Sequence, residues 1–267
     1  METNVIKPIK RGLDTNILIY LSQYNDPRFD PQNIVHDLIE KKALFPSLFA
    51  LTPKRNLPPI LRNTYLGEID SNEDGKEFYT NLLDIARLDN LIKEGIVQAY
   101  VSPTVQFEVV NENVIDYMDT YCRRLQVNKE DSAEFFGKRW ELANLYAEKG
   151  AIPKKRDAVT LKERIIPDAC LTAEYSLFGI EFLTANEVDL IHRNPMDEDY
   201  AISDAVQQVN REYGLRFVGN NNKPYSPKSN SVSQFIARVK KYRHGTNLFI
   251  DFDKSNIDKD NHYIPYE

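Results

Sequence analysis

The chain has 267 residues, of which 42% are hydrophobic and 11% aromatic, so it contains enough apolar material for a folded core. Its formal net charge of −6 argues against a protein that coats nucleic acid through a basic excess, although a nuclease with cation-binding carboxylates is not excluded. Its two cysteines lack metal-ligand spacing, which argues against structural zinc, and no apolar stretch approaches the roughly 18 residues that span a bilayer. We therefore expect a cytoplasmic protein with no membrane partner.

The first part of the chain predicts two strands and three helices. In chain order these are a strand at residues 9–13, a helix through residues 17–21, helices at residues 32–43 and 75–94, and a strand at residues 96–101. Asp14 and Thr15 suit the start of a helix, because their side-chain oxygens can accept hydrogen bonds from its free N–H groups. Gly95 is placed to end the long helix.

The rest of the chain alternates helices with short strands. Helices are predicted at residues 103–121, 130–149, 167–178, 198–213 and 231–242, and strands at residues 180–184 and 215–218. Trp140, the one tryptophan, is expected to be buried in the second of these helices. Strands separated by helices indicate a parallel sheet with crossover connections, so we predict a three-layer α/β/α fold with a mainly parallel central sheet.

Four acidic residues lie where such a fold gathers its ligands. Asp14 follows the first strand, Asp189 follows the strand at residues 180–184, and Glu108 and Asp168 lie in the first turns of helices. Ligands bind beyond the carboxyl ends of parallel strands, so these side chains are expected to converge on one cleft. Carboxylates are suitable ligands for Mg²⁺ or Mn²⁺, and two such ions about 3.5–4 Å apart would activate water and stabilise a leaving oxygen. Taken singly, each acid also fits a helix cap or a surface charge.

The segments around the four acids resemble, in the same order, the motifs of PIN-domain nucleases. The matching segments are residues 13–18 (LDTNIL), 102–108 (SPTVQFE), 166–169 (IPDA) and 182–189 (FLTANEVD). The resemblance covers residues 9–20 and 96–242. It implies one PIN-like domain at residues 1–244, with a largely helical insertion at about residues 22–94 and a C-terminal tail at residues 245–267.

This resemblance implies a metal-dependent endoribonuclease that hydrolyses RNA with water and leaves 5′-phosphate and 3′-hydroxyl ends. The implied catalytic residues, which are also the metal ligands, are Asp14, Glu108, Asp168 and Asp189. The residues implied to orient water or carboxylates around them are Asn16, Thr184 and Asn186. Toxin-type members of the family also imply a small antitoxin-like protein partner, and many members form homodimers.

A basic cluster that leads into the third acid is a candidate contact for RNA phosphates. It consists of Lys154, Lys155, Arg156 and Arg164. The alternative interpretation of such a cluster is a solvated helix face.

Two other functions are compatible with parts of this pattern. The first is a non-catalytic PIN-like module that binds RNA or protein, although a scaffold has no need of four acids that repel one another. The second is a phosphatase similar to the haloacid-dehalogenase enzymes. Those enzymes need an aspartate two residues after the nucleophile, and this chain has Asn16 at that position.

Overall fold

The computed structural model describes residues 8–26, 74–149, 161–186, 190–191, 202–218, 224–243 and 255–265. The strands in these ranges are β1 (Ile9–Leu13), β2 (Val97–Val101), β3 (Cys122–Arg124), β4 (Phe182–Leu183), β5 (Phe217–Val218), β6 (Pro224–Tyr225) and β7 (Ser229–Asn230). The helices are α1 (Thr15–Tyr24), α2 (Asp74–Lys93), α3 (Pro103–Glu108), α4 (Glu112–Tyr121), α5 (Ser132–Glu148), α6 (Leu161–Phe178), α7 (Ile202–Glu212) and α8 (Val232–Arg243). The predicted helix at residues 32–43 lies outside the described residues.

Five strands form one parallel sheet in the order β3-β2-β1-β4-β7. The central strand β1 pairs with β2 on one side, where Gly12 is opposite Tyr100, and with β4 on the other, where Gly12 is opposite Phe182. All five carboxyl ends therefore lie at the same edge of the sheet. The predicted mixed α/β fold with a parallel sheet is confirmed.

Helices cover both faces of this sheet. Arg11 and Gly12 are consecutive in β1, so they face opposite sides. A Cβ atom on Gly12 would overlap the ring of Tyr175 from α6, whereas the Arg11 guanidinium lies 5.0 Å from the ring centre of Phe235 in α8. The helices α6 and α8 therefore pack on opposite faces, which is compatible with the predicted three layers.

A buried charge cluster joins the sheet to α8. Arg11 Nη2 lies 2.8 Å from Glu181 Oε2, and both side chains are fully buried. Arg238 Nη1 lies 3.2 Å from the same Glu181 oxygen and donates to Asn230 Oδ1 at 3.1 Å. Burial lowers the pKa of Arg11 to about 10, so the guanidinium remains charged at neutral pH. The cluster links α8 to β1, to the start of β4 and to β7.

The helix predicted through residues 103–121 is divided in two, which corrects that prediction. Val109 has an extended backbone and ends α3. Asn111 then caps α4, because its Oδ1 accepts a hydrogen bond from the N–H of Asn113 at 3.0 Å. A short polar side chain that competes for backbone N–H groups can start a new helix without any break in apolar spacing.

Pro167 lies inside α6 rather than at its start, so the predicted beginning of that helix is wrong. The helix begins six residues earlier, at Leu161. Proline is favoured in a first turn, because its missing N–H would lack a partner there in any case. This preference favoured Pro167 as the first helical residue.

The order of the short strands also differs from the prediction. Ser229–Asn230, which precedes the predicted helix at residues 231–242 and has no predicted strand, forms the fifth strand of the parallel sheet. Phe217–Val218 instead pairs with Pro224–Tyr225 in a separate antiparallel ribbon. Cys122–Arg124 forms the strand at the opposite edge of the main sheet. No strand was predicted for this segment, which contains two arginines.

Trp140 is 48% exposed, so the expectation that it is buried is wrong. The buried face of α5 is formed by Phe135, Leu142 and Tyr146. Position 140 lies on the other side of this helix, one turn after the partly exposed Phe136.

The described part of the predicted C-terminal tail, residues 255–265, contributes to the core. Tyr263 is 1% exposed, and its ring centre lies 4.8 Å from that of Phe135 and 5.8 Å from that of Phe178. Gln126 and His262 form a parallel bridge beside it. Within the described ranges, no helix has both the length and the apolarity that a bilayer crossing requires.

Candidate functional site

Asp14 lies at the carboxyl end of the central strand and immediately before α1. Its backbone N–H donates to the carbonyl oxygen of Leu183 at 2.9 Å, which joins the ends of β1 and β4. Its side chain is buried, and Asp14 Oδ2 accepts a hydrogen bond from Thr184 Oγ1 at 2.7 Å. The carboxylate is therefore fixed at the sheet edge where parallel folds bind ligands.

The surroundings of Asp14 disfavour its charged form. Burial raises the pKa of Asp14 to about 6, and the charge of Glu108 adds to the increase. The Thr184 hydrogen bond and the backbone N–H groups of Thr15 and Asn16 oppose it. A carboxylate that is buried beside a second acid is stabilised by gaining either a proton or a cation.

Glu108 reaches the same sheet edge from the end of α3. Its Oε2 accepts a hydrogen bond at 2.6 Å from the hydroxyl of Thr15, the residue that follows Asp14. Two consecutive residues therefore bring the first two acids together. Asp14 is itself the first acid, and the side chain of Thr15 binds the second, Glu108.

Asp168 is connected to Asp14 through two polar residues that follow β4. Asn186 Nδ2 donates to Asp168 Oδ2 at 3.4 Å, and the backbone N–H of Asn186 donates to Thr184 Oγ1 at 2.9 Å. Since Thr184 in turn donates to Asp14, a hydrogen-bonded line runs Asp168–Asn186–Thr184–Asp14. This acid line connects α6 with the ends of two neighbouring strands.

Of the seven predicted site residues, the structure brings five to this edge. They are Asp14, Glu108, Asp168, Thr184 and Asn186. The Asn16 side chain is exposed, and only its backbone N–H acts on the Asp14 carboxylate.

The other predicted residues cannot be placed at the site. Asp189 lies outside the described residues, as do Lys154, Lys155 and Arg156, and the Arg164 side chain is likewise not described. Among the side chains that are described, no group of three or more acids, histidines or cysteines is arranged to hold one metal ion.

Tyr175 supports the backbone at the site, a role that was not predicted from the sequence. Its hydroxyl accepts hydrogen bonds from the N–H groups of Leu13 at 3.1 Å and Ser102 at 3.2 Å. Its single proton lies within hydrogen-bonding distance of two acceptors, the carbonyl oxygens of Leu13 at 2.7 Å and Tyr100 at 3.2 Å. Burial raises the pKa of Tyr175 well above its usual value, so the hydroxyl keeps its proton. One side chain thus joins the ends of β1 and β2.

Glu174 fixes the start of the helix that carries Glu108. Its carboxylate accepts hydrogen bonds from the backbone N–H of Thr104 at 2.9 Å and from the Thr104 hydroxyl at 2.8 Å. Arg139 Nη1 balances its charge at 3.0 Å, and the Glu174 side chain is fully buried. Nothing in the sequence around Glu174 distinguishes it from an exposed acid of an amphipathic helix.

The comparisons with known proteins add no relative. No family model matches the chain, and neither a curated protein nor a solved structure shows significant similarity to it.

Proposed function

We propose that this protein is a metal-dependent nuclease that hydrolyses phosphodiester bonds in RNA at the sheet edge that carries Asp14, Glu108 and Asp168. The observation that supports it is the acid line with its Thr15–Glu108 branch, in which three acids distant in sequence are connected by short side chains. An acid on the central strand of a parallel sheet also agrees with the resemblance to PIN-domain nucleases.

The chemistry of these side chains fits Mg²⁺ or Mn²⁺. Both ions prefer carboxylate oxygens, and they would offset the repulsion between the buried Asp14 and the exposed Glu108. Asp14, Glu108 and Asp168 would hold the metal, with Asp189 as the proposed fourth ligand. When bound, such an ion lowers the pKa of a coordinated water and stabilises the charge on the leaving oxygen.

The remaining residues of the site orient the carboxylates. Thr184 directs one oxygen of Asp14, Asn186 directs Asp168, and Thr15 directs Glu108. Side chains that hold metal ligands in place commonly change metal affinity or activity about 10- to 100-fold when they are replaced. Asn16 has no such role in this proposal, because its backbone N–H, and not its side chain, acts on the Asp14 carboxylate.

A panel of single-stranded RNA, duplex RNA and DNA, incubated with Mg²⁺ or Mn²⁺ and with EDTA as control, tests the proposal. We expect metal-dependent cleavage of RNA, with 5′-phosphate ends that a ligase can join without prior phosphorylation. Asp14→Asn should abolish cleavage, whereas Asp116→Asn, which changes an exposed acid on α4, should not. Cleavage by Asp14→Asn at the wild-type rate, or no cleavage of any substrate by the wild type, would contradict it.

A non-catalytic module that binds RNA or protein is the second candidate. It is favoured by the lack, among the described side chains, of three groups arranged around one metal ion. A calorimetric titration with Mn²⁺ distinguishes the two functions. Undetectable Mn²⁺ binding together with undetectable cleavage would support the binding module. The antitoxin-like partner and the homodimer that the resemblance implies stay predictions.

A further inference from the structure

The residue before Glu108 is an aromatic side chain that the described chain leaves uncovered. Phe107 is 90% exposed, the highest value among the large hydrophobic side chains described. It occupies α3 together with Glu108, so it lies beside the proposed cleavage site. Val110, which is 85% exposed, follows the end of this helix. Single exposed hydrophobic side chains are common on protein surfaces, and this one is distinguished by its position next to Glu108.

The short helix that carries Phe107 is fixed from several directions. Glu174 holds its first turn through Thr104. Gln106 Nε2 donates to the carbonyl oxygens of Val101, the last residue of β2, at 3.1 Å and of Leu125, the residue after β3, at 2.9 Å. With Thr15 holding Glu108 as well, the backbone that presents the Phe107 ring is anchored at both ends.

Phe107 and Glu108 point in different directions from this anchored helix. Consecutive residues of a helix are rotated by about 100°, so the Phe107 ring leaves the helix in a different direction from the Glu108 carboxylate. Because Phe107 is adjacent to Glu108, a polymer whose phosphate binds at the acids would have a neighbouring unit as the part nearest to the ring.

We propose that Phe107 stacks on an unpaired nucleobase next to the phosphate that is cleaved, and so selects single-stranded RNA. This inference rests on the proposed nuclease function. A base in a duplex already has both faces covered, whereas an unpaired base can stack on an aromatic ring, a contact worth about 1–3 kcal/mol per base. Phe107 would then contact the base, and Glu108 would lie at the neighbouring phosphate of the same RNA strand.

The size of the apolar surface favours a nucleobase over a protein partner. A phenylalanine side chain buries at most roughly 150–250 Å². Even with Val110, this is far below the apolar share, a little over half, of the roughly 800 Å² that each partner contributes to a stable protein interface. The neighbouring exposed residues Glu108, Asn111 and Glu112 are polar or acidic, so the apolar area is confined.

The test measures RNA binding separately from cleavage. Short single-stranded RNAs, each with 2-aminopurine at one position, are titrated in Mg²⁺ with protein that carries Asp168→Asn, so that the RNA stays intact. We expect quenching at one position, which Phe107→Ala removes while it weakens binding about 5- to 150-fold. Phe107→Trp should preserve quenching and affinity, and Phe107→Leu should not.

Two controls separate stacking from general effects. Val110→Ala should leave the affinity within about twofold, and an RNA that lacks the base at the quenched position should bind Phe107→Ala and the parent protein equally. In the cleaving protein, Phe107→Ala should raise KM for single-stranded RNA and leave kcat nearly unchanged. Since Phe107 is almost fully exposed, its replacement should not disturb folding.

Two results would overturn the stacking proposal and would be distinguishable from failure of the nuclease proposal. If the wild type cleaves RNA but Phe107→Ala has the same affinity and KM, the stacking proposal alone fails. If Phe107→Leu binds as tightly as the parent, the ring makes an apolar contact with something other than a base. A wild type that neither binds nor cleaves RNA refutes both proposals.

Discussion

The hydroxyl of Tyr175 donates a hydrogen bond to the carbonyl oxygen of Leu13 at 2.7 Å, at the residue directly before Asp14. Tyr175 follows Asp168 by seven residues in α6, so the two side chains lie on the same face of that helix. The helix α6 therefore carries Asp168 and also positions β1, the strand that ends directly before Asp14. The distance between these two acids depends on how closely α6 packs against β1.

The close packing of α6 on β1 predicts that Gly12→Ala is strongly destabilising. The added Cβ would overlap the Tyr175 ring, which stacks on Phe182 with ring centres 5.1 Å apart and is also held through its hydroxyl. We expect a loss of at least about 2 kcal/mol in the free energy of unfolding, measured with urea. Gly137→Ala is the matched control, because nothing lies near its Cβ position in α5, and it should stabilise by up to about 1 kcal/mol. Equal stabilities of the two variants would contradict the prediction.

The burial of Asp14 predicts a stability that depends on pH in the metal-free protein. Its pKa is raised from 3.8 to about 6 on folding, so the folded chain binds more protons between these pH values. The free energy of unfolding therefore falls as the pH rises through this range, and the ionised carboxylate remains destabilising at neutral pH.

Removing that charge should stabilise the metal-free protein. In EDTA at neutral pH, the free energy of unfolding of Asp14→Asn is expected to exceed that of the wild type by about 1–3 kcal/mol. This difference should disappear near pH 4. Asparagine keeps an oxygen that can accept the Thr184 hydrogen bond. Urea unfolding at both pH values measures the difference. An unchanged difference between the two pH values would show that the titration of Asp14 is not its source.

Thr184 is expected to control the acid line through its hydroxyl. Thr184→Val keeps the shape of the side chain but removes the hydrogen bonds to Asp14 and from Asn186. We expect Mn²⁺ affinity and RNA cleavage to fall about 10- to 100-fold, as is usual when a residue that orients a metal ligand is lost. Thr184→Ser should restore both properties. If serine and valine behave alike, the hydroxyl is not responsible.

The packing of Tyr263 predicts that the last described segment is needed for stability. Tyr263→Ala would leave a space beside Phe135 and Phe178, and it should lower the free energy of unfolding by about 3–5 kcal/mol. The neighbouring Ile264 is 46% exposed, so Ile264→Ala should change the free energy of unfolding by less than about 0.5 kcal/mol. Thermal unfolding of the two variants provides the comparison. A small effect at Tyr263 would mean that this segment is peripheral.

The elements that were predicted correctly are those with a local signal. In the helix Asp74–Lys93 and the strand Val97–Val101, the spacing of the hydrophobic residues along the chain indicates the type of element. The position of Asp14 at the end of a strand was also predictable, because the short segment at residues 9–13 is followed by the polar residues 14–16 and then by the apolar start of a helix.

The features that were missed depend on residues far apart in sequence. Ser229–Asn230 is polar and becomes a strand only because β4 supplies its hydrogen-bonding partner. Glu174 and Thr15 are ordinary polar residues until folding places them beside Thr104 and Glu108. A pattern in one segment cannot reveal such partners.

The ion pair between Arg11 and Glu181 constrains the alignment of the two central strands. Only two residue pairs join β4 to β1, so their backbone hydrogen bonds alone specify the register weakly. A shift of one residue would separate the guanidinium from the carboxylate and leave the buried Arg11 without its counter-ion, at a cost of about 3–5 kcal/mol. Since Asp14 follows β1 and Thr184 follows β4, correct alignment of the charges also places this hydroxyl opposite its carboxylate.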